Sequence, residues 1–259
     1  MLSTELLTFY RQMAERDLTI VDLETTGFAP PVARAIEISI IKANLQAGLQ
    51  DQITHLINPG VRVPEQITRL TGISQAMVAS ADRETEIWPR CWPWLSDGVF
   101  TAHNVAFDYG FVKAELKQQG YDWHKASTDQ FCTVIFSRLM LPDLPSRSLP
   151  KLVEHFGFAV GRSHRAAADT LACWLLAQRL LTEVGETDDA DLLERFGKQW
   201  LPMREVTQIF GCKQAIAQRK LHQAGLEPRI SGRSKTLMYQ RAAVERVFWE
   251  TQGQQTSLF

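Results

Sequence analysis

The sequence predicts an α/β fold with a small basic domain appended. Three observations carry that prediction. Apolar strand-like runs come first and then alternate with helical periodicity, the order of a mixed sheet covered by helices. The chain has 259 residues, more than one small module needs. Its charge is split: residues 1–200 hold 19 Lys+Arg against 25 Asp+Glu, whereas residues 201–249 hold 9 against 3. A basic segment on an acidic body implies two parts with different partners.

The elements follow in order. Residues 3–16 place Leu6, Leu7, Tyr10 and Met13 at helical spacing. LTIVDLE (18–24) is apolar on both faces, as a central strand is. AIEISIIKA (35–43) and DQITHLIN (51–58) are two further strands, and the short turn-rich connections predict an antiparallel meander. From Pro64 to Leu95 the period becomes helical; Trp88, Cys91, Trp92 and Leu95 fall at i, i+3, i+4 and i+7, a core-facing stripe rather than a base-stacking platform. GVFTAHN (98–104) is a fourth strand, and Asn104 is placed to cap a helix running to about Gln119. A fifth strand is expected at 127–133, with helices near 133–140, 148–156 and 166–183.

Composition excludes several classes. Hydrophobic residues make up 45% and charged residues 22%, which rules out disorder over most of the chain. No apolar run approaches the ~20 residues of a membrane span. The N-terminal MLSTELLTFYRQMAERD carries charges where a secretion signal needs an apolar block. Cys91, Cys132, Cys173 and Cys212 form no C-x-x-C pair, which argues against a zinc ribbon or a disulfide scaffold. A reducing, cytoplasmic setting is expected.

Three acidic signals carry chemistry. In VDLETTG, Asp22 and Glu24 are two apart on a strand and project from one face. Adjacent acids repel, and a divalent cation with a taste for hard oxygen ligands reverses that sign; alone, the pair equally suits a solvated strand end. In HNVAFD, Asp108 lies in the first turn of a helix, where negative charge is favourable in any protein. In HRAAADT, His164 and Asp169 are five apart, about 140° around a helix of ~3.6 residues per turn. The preceding Gly161-Arg162-Ser163 run therefore puts His164 in a loop and Asp169 on the helix that follows.

Together, D-x-E-T-T-G, H-N-x-x-F-D and H-R-A-x-x-D resemble the DnaQ-like 3′–5′ exonucleases, the histidine subclass of the DEDD superfamily, which includes the DNA polymerase III epsilon-subunit exonuclease domain. The resemblance covers residues 17–183 and extends to LTGIS (70–74) and CTVIFSRL (132–139). It implies a ribonuclease H-like fold, a five-stranded mixed sheet flanked by helices. It also implies two metal ions, Mg²⁺ or Mn²⁺, held by Asp22, Glu24, Asp108 and Asp169, with Asp22 shared and His164 as general base. Glu24 and the backbone around Thr25 and Thr26 would hold the terminal 3′-OH. Leu70 and Thr71 would pack on the last base. His103 and Asn104 would contact phosphate or orient Asp108, although His103 equally suits a satisfied buried position.

The basic segment reads as helix, turn, helix, hairpin, helix over 202–249. This resembles the winged helix-turn-helix family, of the MerR or excisionase type, which implies phosphate contacts by Arg219, Lys220, Arg229, Arg233 and Lys235. A protein-interaction domain with a solvated basic face is the alternative. The expected division is therefore an exonuclease-like domain at 1–184, a linker at 185–200 centred on ETDDAD (186–191), a basic domain at 201–249 and a flexible tail at 250–259. The tail ends Gln255-Thr256-Ser257-Leu258-Phe259. It is similar to the bacterial sliding-clamp-binding pentapeptide, which implies clamp contacts by Gln255, Ser257, Leu258 and Phe259, with Gln255 hydrogen-bonding and Leu258 and Phe259 filling an apolar pocket. The resulting expectation is a metal-dependent 3′–5′ exodeoxyribonuclease for proofreading or repair. The alternatives are an exoribonuclease on the same frame and a non-catalytic DNA- or clamp-binding adaptor.

Overall fold

The chain begins with helix α1 (Ser3–Ala14), whose Leu7, Tyr10 and Met13 are buried as their spacing predicts. The computed structural model describes residues 1–232 and 235–256, the last four by their backbone alone. Strands β1 (Leu18–Thr25), β2 (Ala35–Asn44) and β3 (Gly48–Leu56) form the expected antiparallel meander. Helices α2 (Glu65–Thr71), α3 (Gln75–Ala79) and α4 (Glu84–Ser96) follow. In α4, Trp88, Cys91 and Leu95 are fully buried, and Trp92 stacks on Tyr121 at 4.5 Å, so the aromatic stripe is core. Strand β4 (Val99–Ala102) then leads into α5 (Val105–Gln118), and β5 (Gln130–Cys132) into α6 (Thr133–Met140). Helices α7 (Leu149–Phe156) and α8 (Ala166–Glu186) complete this part of the chain.

The sheet order is β3-β2-β1-β4-β5, with β1 in the middle. β1 pairs antiparallel with β2 and parallel with β4, and β4 pairs parallel with β5, so the sheet is mixed and five-stranded as expected. Central β1 is covered on both faces. Val21 and Leu23 join the core built with Trp88, Phe100, Phe111 and Trp123. The opposite face of β1 carries Asp22 and Glu24.

Beyond α8 come α9 (Asp189–Gly197), β6 (Trp200–Pro202), α10 (Met203–Phe210), α11 (Gln214–Gln223), β7 (Arg229–Ile230), β8 (Leu237–Gln240) and α12 (Arg241–Thr256). Strands β6, β8 and β7 form a three-stranded antiparallel sheet in that order. Its core is Leu201, Val206, Ala217, Leu221, Tyr239, Val244 and Val247.

The fold forms two compact units, one of Gln12–Phe136 and Pro145–Glu183, the other of Met1–Arg11, Ser137–Leu144 and the chain from Val184 onward. The stretch read as a linker, 185–200, holds the end of α8, all of α9 and the first residue of β6. Asp189 and Asp191 stand in the first turn of α9, where negative charge is favourable, and Leu192 and Phe196 are buried. The first residues belong to the second unit through polar bonds. The N–H and hydroxyl of Ser3 donate to Glu245, and Arg241 donates to the carbonyl of Met1. α12 runs to Thr256 instead of ending at 249, because TQGQQT holds no helix breaker stronger than a single glycine.

Candidate active site

β1 carries Asp22 and Glu24 on one face, two residues apart. Parallel pairing of β4 with β1 brings the start of α5 beside that face, since α5 begins three residues after β4 ends. Asp108, in the first turn of α5, is buried, and backbone N–H groups of Leu23 and of Asp108 itself bond its carboxylate. Asp169 stands in the first turn of α8. Its Oδ2 accepts the backbone N–H of His164 at 2.9 Å. Ligand atoms of Glu24, His164 and Asp169 all lie within 4.8 Å of one another. The acids from three separate motifs thus converge, and the imidazole joins them from the loop before α8.

The cluster is only partly compensated. Desolvation holds Asp22 well above the usual carboxylate range, and repulsion from Asp108, Asp169, Glu24 and Glu37 adds to it. Glu24 is pushed up to about 8 by desolvation and then by Asp169 and Glu37, with Arg165 opposing. Asp108 is pushed up to about 8 by desolvation, despite its two backbone hydrogen bonds. Asp169 is raised by desolvation too, and the N–H and charge of His164 pull it back. The guanidinium that offsets Glu24, that of Arg165, is itself bonded to Glu37. Crowded, dehydrated oxygen ligands whose counter-charges among the described residues fall short of their number suit a divalent cation.

The residues expected at the substrate divide. Leu70 is 49% exposed. It lies in the last turn of α2, two residues before Gly72, where an added Cβ would sit 3.3 Å from the Arg162 guanidinium, so this segment borders the loop that carries His164. Asn104 occupies the cap position of α5, yet its side chain makes no capping bond and is exposed. Thr71 corrects the expectation. It is 1% exposed, its hydroxyl donates to Ile67 O and accepts from Ile73 N–H, and it has nothing left for a base. His103 is likewise committed: Nε2 donates to Arg147 O at 2.9 Å, and Nδ1 lies 3.0 Å from the Thr133 hydroxyl. The Thr25 hydroxyl donates to Gly27 O, and the N–H and hydroxyl of Thr26 both bond Arg34, so these groups shape the β1–β2 connection.

Sequence reasoning passed over two buried acids. Glu37, on β2, pairs in register with Glu24 and is 1% exposed. Glu115, on α5, is equally buried and receives Arg34. The available signal was a charge inside an apolar strand, AIEISIIKA, and another on the apolar side of a helix; buried charges are paired.

In the second unit, Arg219 lies on α11 and Arg229 on β7, both exposed. The Arg229 guanidinium sits 5.4 Å over the Trp200 ring, and Lys220 Nζ 5.4 Å over the Phe210 ring. Lys235 is exposed in the β7–β8 connection. Arg233, Ser257, Leu258, Phe259 and the side chain of Gln255 lie outside the described residues. No helix among the described residues is long and apolar enough to cross a membrane.

Comparison with known proteins agrees with this geometry. A Mycobacterium tuberculosis protein named as a bifunctional exonuclease/endonuclease is 32% identical over 222 residues, covering 83% of this chain and 33% of its own length. The DNA polymerase III epsilon subunit of Aquifex aeolicus is 29% identical over 166 residues, 64% of this chain and 80% of that protein. The solved structure of Exonuclease X in complex with 5′-overhanging duplex DNA shares the fold, with a TM-score of 0.53 at 21% identity, over 68% of this chain and 99% of that one. The chain spans about a third of the length of the M. tuberculosis relative. The ribonuclease H-like fold is therefore as the sequence implied. The exonuclease family model (RNase T type) matches residues 19–177, which run from β1 into α8 and include every member of the acidic cluster. With more than half of its length matched, this chain belongs to the exonuclease family.

Proposed function

We propose that this chain is a divalent-metal-dependent 3′–5′ exodeoxyribonuclease acting in proofreading or repair. The observation that carries the reading is the convergence of Asp22, Glu24, Asp108 and Asp169, with His164 beside them, on one desolvated site. Asp22, Glu24, Asp108 and Asp169 would hold the pair of divalent ions, Mg²⁺ or Mn²⁺, with Asp22, which feels all three other acids, at the centre of the set. When bound, the ions supply an acidified water and a counter-charge for the departing 3′ oxygen.

The remaining work falls to side chains. His164 accepts the proton of the attacking water on its imidazole. Glu24 and the turn after it receive the terminal 3′-OH. Leu70 packs on the last base, and the Asn104 amide, free of any capping bond, reaches a phosphate. Stacking and backbone contacts read no sequence, so a frayed single-stranded end is the preferred substrate. The named relatives support DNA: one is a DNA polymerase subunit, and the solved Exonuclease X is bound to duplex DNA.

The second unit serves as a winged helix-turn-helix-like DNA holder. Gly211 turns α10 into α11, and the β7–β8 hairpin follows as a wing. Arg219, Lys220, Arg229, Arg233 and Lys235 contact phosphate. The terminal Gln255-Thr-Ser257-Leu258-Phe259 docks on a sliding clamp.

The test is digestion of end-labelled single-stranded, mismatched and RNA oligonucleotides with Mg²⁺ or Mn²⁺, with Asp22→Ala as control. A 3′-to-5′ ladder from DNA is expected. No product above the control would favour the adaptor, and faster turnover of matched RNA would favour an exoribonuclease.

A further inference from the structure

His164 has φ +61, a left-handed backbone that is uncommon for a residue with a side chain, although histidine is among those that adopt it more readily. Two bonds flank it. On one side, its own N–H is tied to Asp169. On the other, the next two residues are clamped by one carboxylate. Arg165 Nε lies 3.2 Å from both oxygens of Glu37, Arg165 Nη2 lies 2.6 Å from Oε1, and the Ala166 N–H donates to Oε2 at 2.8 Å. Glu37 is 1% exposed and fixed in the middle of the β1–β2–β3 meander, in register with Glu24. A forked guanidinium bond fixes direction as well as distance, which a lysine would not do.

We propose that Glu37 is a positioning residue for His164: by gripping Arg165 and the first N–H of α8, it holds the imidazole against the acids in a backbone conformation it would otherwise leave. The proposal rests on the reading of His164 as proton acceptor and adds the device that places it. The same device occurs a second time. Glu115 accepts Arg34 Nε at 2.9 Å, Arg34 Nη2 at 2.8 Å and the Ala35 N–H at 3.0 Å. That second clamp ties α5, which carries Asp108, to the start of β2, and it touches neither His164 nor its neighbours.

The experiment compares Glu37→Gln, Glu115→Gln, His164→Ala and the double variant Glu37→Gln/His164→Ala in the full chain. Because breaking a buried pair threatens folding, Glu37→Leu/Arg165→Met, which removes both charges at once, is included. For Glu37→Gln and for Glu37→Leu/Arg165→Met, crystal structures are expected to show His164 out of the left-handed region. The kcat on a single-stranded oligonucleotide is expected to fall about tenfold to hundredfold with KM nearly constant, the penalty of a misplaced proton acceptor. The double variant with His164→Ala should be no slower than His164→Ala alone, because Glu37 acts through the imidazole. Glu115→Gln should leave His164 left-handed. The proposal is overturned if His164 keeps its φ near that of the parent in both clamp-breaking variants, if the two kcat losses multiply, or if Glu115→Gln unseats His164 equally. Should His164→Ala leave kcat unchanged, the general-base reading fails, while the backbone of His164 in the Glu37 variants still decides the clamp.

Discussion

At the scale of single residues, the site is a problem of unshielded charge. Glu24 and Asp108, each pushed up to about 8, keep protons that the unfolded chain releases near pH 4. Between those values the folded state binds more protons than the unfolded one, so stability falls as pH rises. The metal-free protein is therefore expected to lose melting temperature steadily between about pH 5 and 8, and saturating Mn²⁺ to remove that slope. Calorimetry with and without metal checks this; a flat metal-free profile would contradict the desolvated cluster. His164 presents a second question, since its ring lies within 4.8 Å of ligand oxygens of Glu24 and Asp169. As a general base, His164→Ala should lower kcat by about 10²–10⁴-fold and leave metal affinity largely intact. Equal loss of metal binding, measured by titration calorimetry, would make it a ligand instead.

Among the elements, the parallel pairing of β4 with β1 is what delivers Asp108 to Asp22. That pairing begins at Leu18↔Val99, directly after Gly98. Gly98 has φ +71, and a Cβ there would meet Thr19 Oγ1 at 2.7 Å and the Asp17 carbonyl oxygen at 3.0 Å. The Thr19 hydroxyl meanwhile donates to Asp97 O and cannot withdraw without losing that bond. Gly98→Ala is accordingly expected to cost about 1–3 kcal/mol, from strain plus displacement of backbone. Urea unfolding measures it, and a cost within about 0.5 kcal/mol of zero, the range of an ordinary surface change, would show that the β4 approach has slack.

For the molecule as a whole, the charge split and the division into two units suggest separate tasks. The phosphate binding proposed for the second unit would make its affinity salt-dependent, with a log–log slope of about 0.9 for each phosphate neutralised. Arg219→Ala/Lys220→Ala should flatten the salt dependence of duplex binding by nearly 2 on that scale, while short single strands are hydrolysed at the parent rate. Fluorescence anisotropy across a salt series reads the slope, and an unchanged slope would assign those residues to a solvated or protein-binding face. Removing 255–259 should abolish binding to a sliding clamp without slowing digestion of short single strands. Clamp binding that survives the truncation would refute the tail assignment.

What the sequence determined by itself was everything carried by period and local chemistry. Alternating apolar runs set β1 to β3, the i, i+3, i+4, i+7 stripe buried Trp88, Cys91 and Leu95, and the three acidic motifs named the members of the cluster. The helical content of 185–200 was hidden because its acids read as a solvated linker while Leu192 and Phe196 found their partners elsewhere. Only the tertiary structure decided which polar groups were already spoken for. Thr71 looked available, and His103 suited a substrate contact and a satisfied position equally; both are bonded within the protein, whereas Glu37 and Glu115 were passed over and are clamped. The reason is that a buried polar group takes its partner wherever the fold supplies one: Glu37 meets Arg165 across 128 positions and Glu115 meets Arg34 across 81. Periodicity tells which way a side chain faces, and only the packed chain tells what waits there.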